Sequence, residues 1–159
     1  MHPNAELITR FYSALQRLDG DAMAACYHDE AEFSDPVFPA LHGLQIGMMW
    51  RMLCRRAKDF SVTFGDVVAD DTRGSAKLVA RYRYSKTGRM VVNEIHSEFE
   101  FRDGLIWRQR DAFNLHRWMG MALGPVGTLL FWLPALQAKV RASAAEALAK
   151  FTTSAEGGR

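Results

Sequence analysis

The hydrophobic period of the chain changes near Phe60, and this change constrains the fold more than any other feature of the sequence. Before it, apolar residues recur at helical spacing, which predicts helices at about 5–18, 21–27 and 44–58, with one brief strand at 31–34. After it, apolar and polar residues alternate, which predicts strands at about 60–68, 76–84, 90–101 and 105–114. Short turns at 86–89 and 102–104 make the last three strands antiparallel. The sequence therefore predicts an α+β domain with helices packed on one face of a sheet.

Helical periodicity returns over residues 115–151, and residues 152–159 read as a frayed tail. The chain has 159 residues, enough for one domain with a sizeable core. The longest apolar block, 124–134, is shorter than the about 20 residues that span a bilayer, and the N-terminus lacks the features of a signal peptide. We therefore expect a cytoplasmic protein without a membrane span.

Charge and motif content exclude several functional classes. The net charge of +2 comes from Lys and Arg spread along the chain, without the basic stripe of a nucleic-acid-binding protein. The five histidines and two cysteines do not have metal-ligand spacing, and there is no glycine-rich phosphate loop. We expect no nucleic-acid partner, no metal and no other cofactor.

Polar residues interrupt the face of the last two strands that we assign to the interior. Alternation places four of them, Asn93, Ser97, Gln109 and Asp111, on the same face as large apolar side chains. Burying such groups without partners costs roughly 1–3 kcal/mol each. The pattern therefore predicts either an internal hydrogen-bond network or a polar-lined cavity for a small molecule. On the opposite face, acidic residues and two arginines predict cross-strand ion pairs.

Two aspartates are candidate acid/base groups. Asp111 lies among aromatic residues, where desolvation would raise its pKa and suit it to proton transfer; it could instead pair with an arginine or a backbone donor. Asp35 precedes Pro36 at the end of the brief strand. It could act at the edge of a cavity, or it could cap its own loop as an Asx turn.

Four short segments of the chain resemble the nuclear transport factor 2-like (NTF2-like) superfamily, and most closely its SnoaL-like branch: residues 7–12, residues 19–21, residues 31–36 with Gly43, and residues 103–111. This branch includes ketosteroid isomerases, polyketide cyclases and limonene epoxide hydrolases. The resemblance covers about residues 5–117. It implies a cone-shaped NTF2-like domain at 1–117, with N-terminal helices packed on a curved antiparallel sheet. Residues 118–159 would form a C-terminal helical extension packed on the same domain, and the protein would be a homodimer.

Carried over by position, the resemblance gives a mixed picture. Asp35 falls where ketosteroid isomerases keep their proton-shuttling aspartate, and Asp111 falls near the acid/base aspartate of SnoaL-type cyclases. Phe11 takes the place of the oxyanion-hole tyrosine, although Tyr12 is adjacent, and Ser97 falls near the second oxyanion-hole aspartate. The Asp-Arg-Asp arrangement of the epoxide hydrolases is not recognisable.

These observations lead to two main hypotheses. The first is a cofactor-independent isomerase, cyclase or epoxide hydrolase that uses carboxylate acid/base chemistry. The second is a non-catalytic protein that binds a small lipophilic molecule, and a third possibility is an assembly role for the C-terminal extension. The predicted catalytic residues are Asp35 and Asp111. The predicted substrate-binding residues are Phe11, Tyr12, Trp50, Asn93, Ser97, Trp107, Gln109 and Phe113.

Overall fold

The computed structural model describes residues 1–157, which form six helices and one six-stranded sheet. The helices are α1 (Pro3–Gln16), α2 (Gly20–Ala24), α3 (Leu44–Arg56), α4 (Leu115–Leu123), α5 (Pro125–Leu130) and α6 (Pro134–Gly157). The strands are β1 (Tyr27–Ser34), β2 (Leu41–His42), β3 (Ser61–Ala69), β4 (Arg73–Arg83), β5 (Met90–Arg102) and β6 (Leu105–Ala112). The predicted α+β class, with helices packed on a curved sheet, is confirmed.

The strands follow the order β2-β1-β6-β5-β4-β3 in a curved, unclosed sheet. Neighbouring strands are antiparallel except for β1 and β6, which run parallel. The β4–β5 pair is in register along its whole length, from Arg73 opposite Glu100 to Arg83 opposite Met90. Register shifts interrupt the β3–β4 and β5–β6 pairs, and such bulges bend a sheet and increase its twist.

Local sequence explains where several helices begin. The His2 side chain accepts a hydrogen bond from the Asn4 amide, and Pro3 takes the first turn of α1, where its missing N–H costs nothing. Asp19 accepts from the Ala22 amide at the start of α2. Side chains of this kind satisfy amides that have no partner within the helix.

The core lies between the sheet and helices α1 and α3. Phe11 is fully buried at its centre and meets the rings of Tyr12, Tyr27 and Trp50 edge to face, at centroid distances of 4.9, 5.5 and 5.5 Å. Such aromatic arrangements stabilise a core beyond the area that they bury. On the outer face, Arg108 pairs with Glu32 and Glu100, as the alternation predicts for a solvated surface.

Three local predictions differ from the structure. Tyr27 was predicted as the end of a helix, but α2 ends at Ala24 and Tyr27 pairs with Ile106 of β6. Residues 41–42 lie outside every predicted element, but they pair with β1 and form the edge strand β2. The tail was predicted to fray from Thr152, but α6 continues to Gly157, and the Thr152 hydroxyl donates to the Leu148 carbonyl within it. Positions 158 and 159 of that predicted tail lie outside the described residues.

The helices after β6 fold back onto the rest of the molecule. Leu148 and Phe151 of α6 join the main core cluster, and Val140 packs with Trp118 and Met119 of α4. Between residues 1 and 157, no helix is both long and apolar enough to cross a bilayer. The C-terminal helices therefore have partners within the protein, and α6 forms one wall of the site described next.

Candidate functional site

A cavity of about 260 Å³ lies between strands β4–β6, helix α3 and the C-terminal helices. Its inner part is formed by Asp35, Asp111, Asn93, Trp50, Trp118, Leu78, Ala80 and Ile95. Exposed residues, among them Leu18, Leu53, Arg56, Arg83 and Lys86, also line it and therefore mark its mouth. The volume is just below the roughly 300–1,000 Å³ of typical ligand pockets, so the cavity suits a small ligand.

Asp35 both caps its loop and faces the cavity. Its Oδ1 accepts hydrogen bonds from the amides of Val37 (2.7 Å) and Phe38 (2.6 Å), which is the Asx turn considered from the sequence. Its Oδ2 has no protein partner, and every fully buried side-chain oxygen or nitrogen in residues 1–157 does have one. Oδ2 is therefore open to the cavity.

The environment of Asp35 favours its neutral form. Burial raises the pKa of Asp35 to about 7, and the negative charge of Asp111 acts in the same direction. The two backbone hydrogen bonds oppose the increase in pKa without cancelling it. A carboxyl group with this pKa can exchange a proton near neutral pH.

Asp111 lies at the end of β6 with only 6% of its surface exposed. Its Oδ1 accepts from the Ser97 hydroxyl at 2.6 Å and from Gln109 Nε2 at 3.0 Å. Burial raises the pKa of Asp111 to about 6, although both hydrogen bonds and the nearby His96 favour the charged form. The two donors hold Oδ1, which leaves Oδ2 for the cavity.

Two chains of hydrogen bonds end at this carboxylate. In the first, the Tyr12 hydroxyl donates to Ser97 Oγ at 2.6 Å, and Ser97 donates to Asp111. In the second, Trp50 Nε1 donates to the Tyr27 hydroxyl at 2.9 Å, Tyr27 donates to Gln109 Oε1, and Gln109 donates to Asp111. Both chains direct donors at one oxygen, which fixes the orientation of the carboxylate.

Tyr27 is a member of this network that the sequence did not identify. Burial raises the pKa of Tyr27 and of Tyr12 well above the usual value, so both remain hydroxyl donors. The position of Tyr27 depends on the parallel pairing of β1 with β6, which brings it beside the strand that carries Gln109. Alternation within a single strand gives no signal of that pairing.

Tyr82 was also missed, and it lines the cavity. Its hydroxyl accepts a hydrogen bond from Trp118 Nε1 at 2.8 Å, which leaves the hydroxyl hydrogen free to point at a ligand. Burial raises the pKa of Tyr82 to about 12, and the charge of nearby Asp35 contributes. The alternation of β4 puts Tyr82 on the same face as Leu78 and Ala80, and this pattern could have identified it.

The predicted site residues separate into three groups. Trp50, Asn93 and Phe113 line the cavity together with the two aspartates. The Asn93 side chain has no hydrogen-bond partner in residues 1–157, so its amide is available to a ligand. The residues that lie behind the wall, in the core or in the network around Asp111, are Phe11, Tyr12, Ser97 and Gln109.

Trp107 was predicted on the cavity wall, but it is not among the residues that line the cavity. Its half-buried ring lies against the guanidinium groups of Arg102 and Arg108, whose Cζ atoms are 3.7 and 4.2 Å from the ring centroid. The cause is the bulge in the β5–β6 pair, where Phe101 faces Ile106 but Glu100 faces Arg108. Trp107 is the extra residue, so simple alternation fails at this point.

The described residues contain no group of three or more His, Cys, Asp or Glu side chains that could hold a metal ion. The polar groups that line the cavity include the two carboxyl groups, the amide of Asn93 and the phenol of Tyr82. This set can donate and accept protons and can orient a carbonyl or hydroxyl group.

The curved, unclosed sheet and the helices packed on it define an NTF2-like fold. The family model of the SnoaL-like domain matches residues 8–109, and the chain belongs to this family. The match ends within β6, before helices α4 to α6. No curated protein matches the chain.

Solved structures with low sequence identity share the fold. An epoxide hydrolase of the LEH-like type from M. tuberculosis is 21% identical, with a TM-score of 0.64 over 81% of this chain and 96% of that one. A proposed polyketide cyclase from Xanthomonas campestris pv. campestris is 23% identical, with a TM-score of 0.63 over 75% and 96%. A protein with a ketosteroid isomerase-like fold from Catenulispora acidiphila, in complex with trimethylamine, is 14% identical, with a TM-score of 0.66 over 81% and 98%.

Proposed function

We propose that the protein is a cofactor-independent acid–base catalyst that moves a proton next to the carbonyl group of a small, mainly apolar compound. An isomerisation or an intramolecular cyclisation would use this step. The observation that supports the proposal is that Asp35 and Asp111 face one cavity, where the charge of Asp111 raises the pKa of Asp35. Pairs of carboxyl groups with raised pKa values in one cavity are typical of sites that need an acid and a base together.

The two carboxyl groups have different roles in this proposal. Asp111, whose carboxylate accepts hydrogen bonds from Ser97 and Gln109, takes the proton from carbon. The electrons of the broken C–H bond move into the carbonyl, which becomes an enolate. Asp35, with a pKa of about 7, donates a proton to that oxygen or, where the substrate has a conjugated double bond, to its γ-carbon, and Tyr82 donates a hydrogen bond to the same oxygen.

The surroundings of the pair favour carbonyl chemistry over epoxide hydrolysis. The Asp111 carboxylate is bound by Ser97 and Gln109, and the arginines that line the cavity, Arg56 and Arg83, are exposed residues of its mouth. The Asp-Arg-Asp arrangement of the epoxide hydrolases would need an arginine between the two carboxyl groups.

A non-catalytic binding protein for a small lipophilic ligand is the second candidate. Phe11 offers no donor, and the Ser97 hydroxyl is bound to Asp111, so neither can stabilise an oxyanion as the isomerase counterparts do. Both candidates require an open cavity. Trp132 is 61% exposed and Phe131 stacks on His116, so neither ring fills the cavity. These positions support an open cavity. We also propose the homodimer that the family resemblance implies.

Exchange of hydrogen for deuterium at carbon tests the proposal. 2-Tetralone is a small apolar ketone whose α-hydrogens can be followed by NMR in D₂O. We expect the protein to accelerate this exchange, and we expect Asp111→Asn to reduce the acceleration by at least about 100-fold. Asp35→Asn should remove one limb of the pH–rate profile, which otherwise reflects apparent pKa values near 6 and 7.

Asp29→Asn, which changes an exposed carboxylate of β1, is the matched control and should exchange at the wild-type rate. Exchange that is unaffected by both site substitutions would exclude the mechanism. Binding of the ketone without acceleration of exchange would favour the binding protein.

A further inference from the structure

The mouth of the cavity is cationic, whereas its interior holds the two carboxyl groups. Among the lining residues, the charged ones that are exposed are Arg56, Arg83 and Lys86, and none of the exposed ones is acidic. Asp35 is partly buried and Asp111 is buried. The cavity is therefore polarised from end to end, with negative or neutral groups inside and positive groups outside.

The three cations do not have equal freedom. Arg83 is neutralised, because its Nε lies 2.8 Å from Asp59 Oδ2 and its Nη1 donates to the Gly88 carbonyl at 2.7 Å. Arg56 forms no ion pair within residues 1–157. Lys86 contacts the hydroxyl of Ser143 on α6, and its charge helps to lower the pKa of the nearby Glu146, but Glu146 forms its ion pair with Lys150. Arg56 therefore keeps its charge at the rim, and the charge of Lys86 is only partly offset.

Arg56 and Lys86 come from separate parts of the fold. Arg56 ends helix α3, where a positive charge also suits the carbonyl end of the helix. Lys86 belongs to the turn between β4 and β5 and gains nothing from a helix end. Its contact with Ser143 holds it across the rim beside α6. Stabilisation of a helix end therefore accounts for the position of Arg56 but not for that of Lys86.

The wall between the two ends is apolar, with Phe60, Leu78 and Val140 among its residues. An anion cannot enter the inner end without approaching Asp35 and Asp111, and an apolar body there would meet no repulsion. We infer that the natural ligand is an amphiphilic anion, with a carboxylate or similar group bound at the rim by Arg56 and Lys86 and an apolar carbonyl-bearing body inside. This inference rests on the proposed function, because it names the substrate class of the same site.

A pair of probes that differ in charge tests this inference by binding alone. 2-Naphthoate and methyl 2-naphthoate have the same ring system, and esterification removes the negative charge. In calorimetric titrations at low ionic strength, we expect the wild-type protein to bind the acid about tenfold more tightly than the ester. Added salt should reduce this preference, because the rim is exposed to solvent.

The variant Arg56→Gln with Lys86→Gln should lose most of the preference for the acid and keep its affinity for the ester. The variant Lys58→Gln with Arg81→Gln is the matched control, because it removes the same charge from exposed positions that do not line the cavity. It should retain the preference. Equal loss in both variants would assign the effect to net charge and overturn the role of the rim.

The results separate this inference from the proposed function. Equal affinity of the wild-type protein for acid and ester would overturn the anionic ligand and leave the proton-exchange assay unaffected. Failure of both probes to bind would overturn the inference, because the cavity would then not accept an apolar anion. Loss of proton exchange in Asp111→Asn, measured on neutral 2-tetralone, supports the catalytic proposal whatever the result at the rim.

Discussion

The pH dependence of stability gives a direct test of the environment of Asp35. The perturbation is Asp35→Asn, because an asparagine Oδ1 can still accept from the amides of Val37 and Phe38 and so preserves the loop. The substitution removes the ionisation and little else. Any difference in stability that depends on pH then reports the cost of ionising this carboxyl group inside the folded protein.

The magnitude follows from the two pKa values. In the unfolded chain Asp35 has its usual pKa of 3.8, and in the folded protein its pKa is about 7. The folded protein therefore binds more protons between about pH 4 and pH 7, and the free energy of unfolding falls as the pH rises through that window. Relative to a pH at which Asp35 is fully protonated, its ionisation lowers the free energy of unfolding by about 1.5 kcal/mol at pH 5 and about 4 kcal/mol at pH 8.

Urea unfolding at pH 5 and pH 8 measures this effect. We expect the stability of Asp35→Asn relative to the wild-type protein to increase by about 2.5 kcal/mol between the two pH values. Asp29→Asn, at an exposed position, controls for the change in net charge and should follow the wild-type protein. A difference for Asp35→Asn that is the same at both pH values would refute the reasoning, because the carboxyl would then ionise equally easily in the folded and unfolded states.

Two further predictions concern the network and the packing. Ser97→Ala removes the partner of Tyr12 and a donor to Asp111. We expect it to cost about 1–3 kcal/mol of stability and to raise the pKa of Asp111 further, as measured by carbon-13 NMR titration. An unchanged pKa of Asp111 would contradict the role of Ser97. Gly74→Ala places a methyl group 2.9 Å from Ile8 Cδ1 and 3.0 Å from Phe101 Cε2, so thermal unfolding should show a loss of about 1–3 kcal/mol, whereas Gly65→Ala, with open space around it, should not.

Periodicity predicted the major elements because it depends only on the neighbouring residues of each segment. The strands at 60–68 and 90–101 and the third helix lie within a few residues of their predicted limits. The short elements were less predictable. A two-residue edge strand such as β2 is defined by its partner in β1, and its own sequence carries no period.

The candidate site was predictable to the extent that it follows alternation. Asn93, Ser97 and Asp111 are buried polar residues on the interior face, as the pattern indicates. Trp107 was misplaced because the bulge at Glu100 and Phe101 shifts the phase of β6. Tyr27 was missed because its role depends on a strand from the other end of the domain.

The sequence by itself determined the α+β class and the burial of polar residues on one sheet face, because both follow from local periodicity and from the cost of burying polar groups. It also identified both aspartates. Only the tertiary structure decided that Asp35 and Asp111 face one cavity, since β1, β6 and helix α6 approach each other only in the folded chain. The pKa values of the two groups are likewise a tertiary property, because desolvation depends on what surrounds a carboxyl group in space.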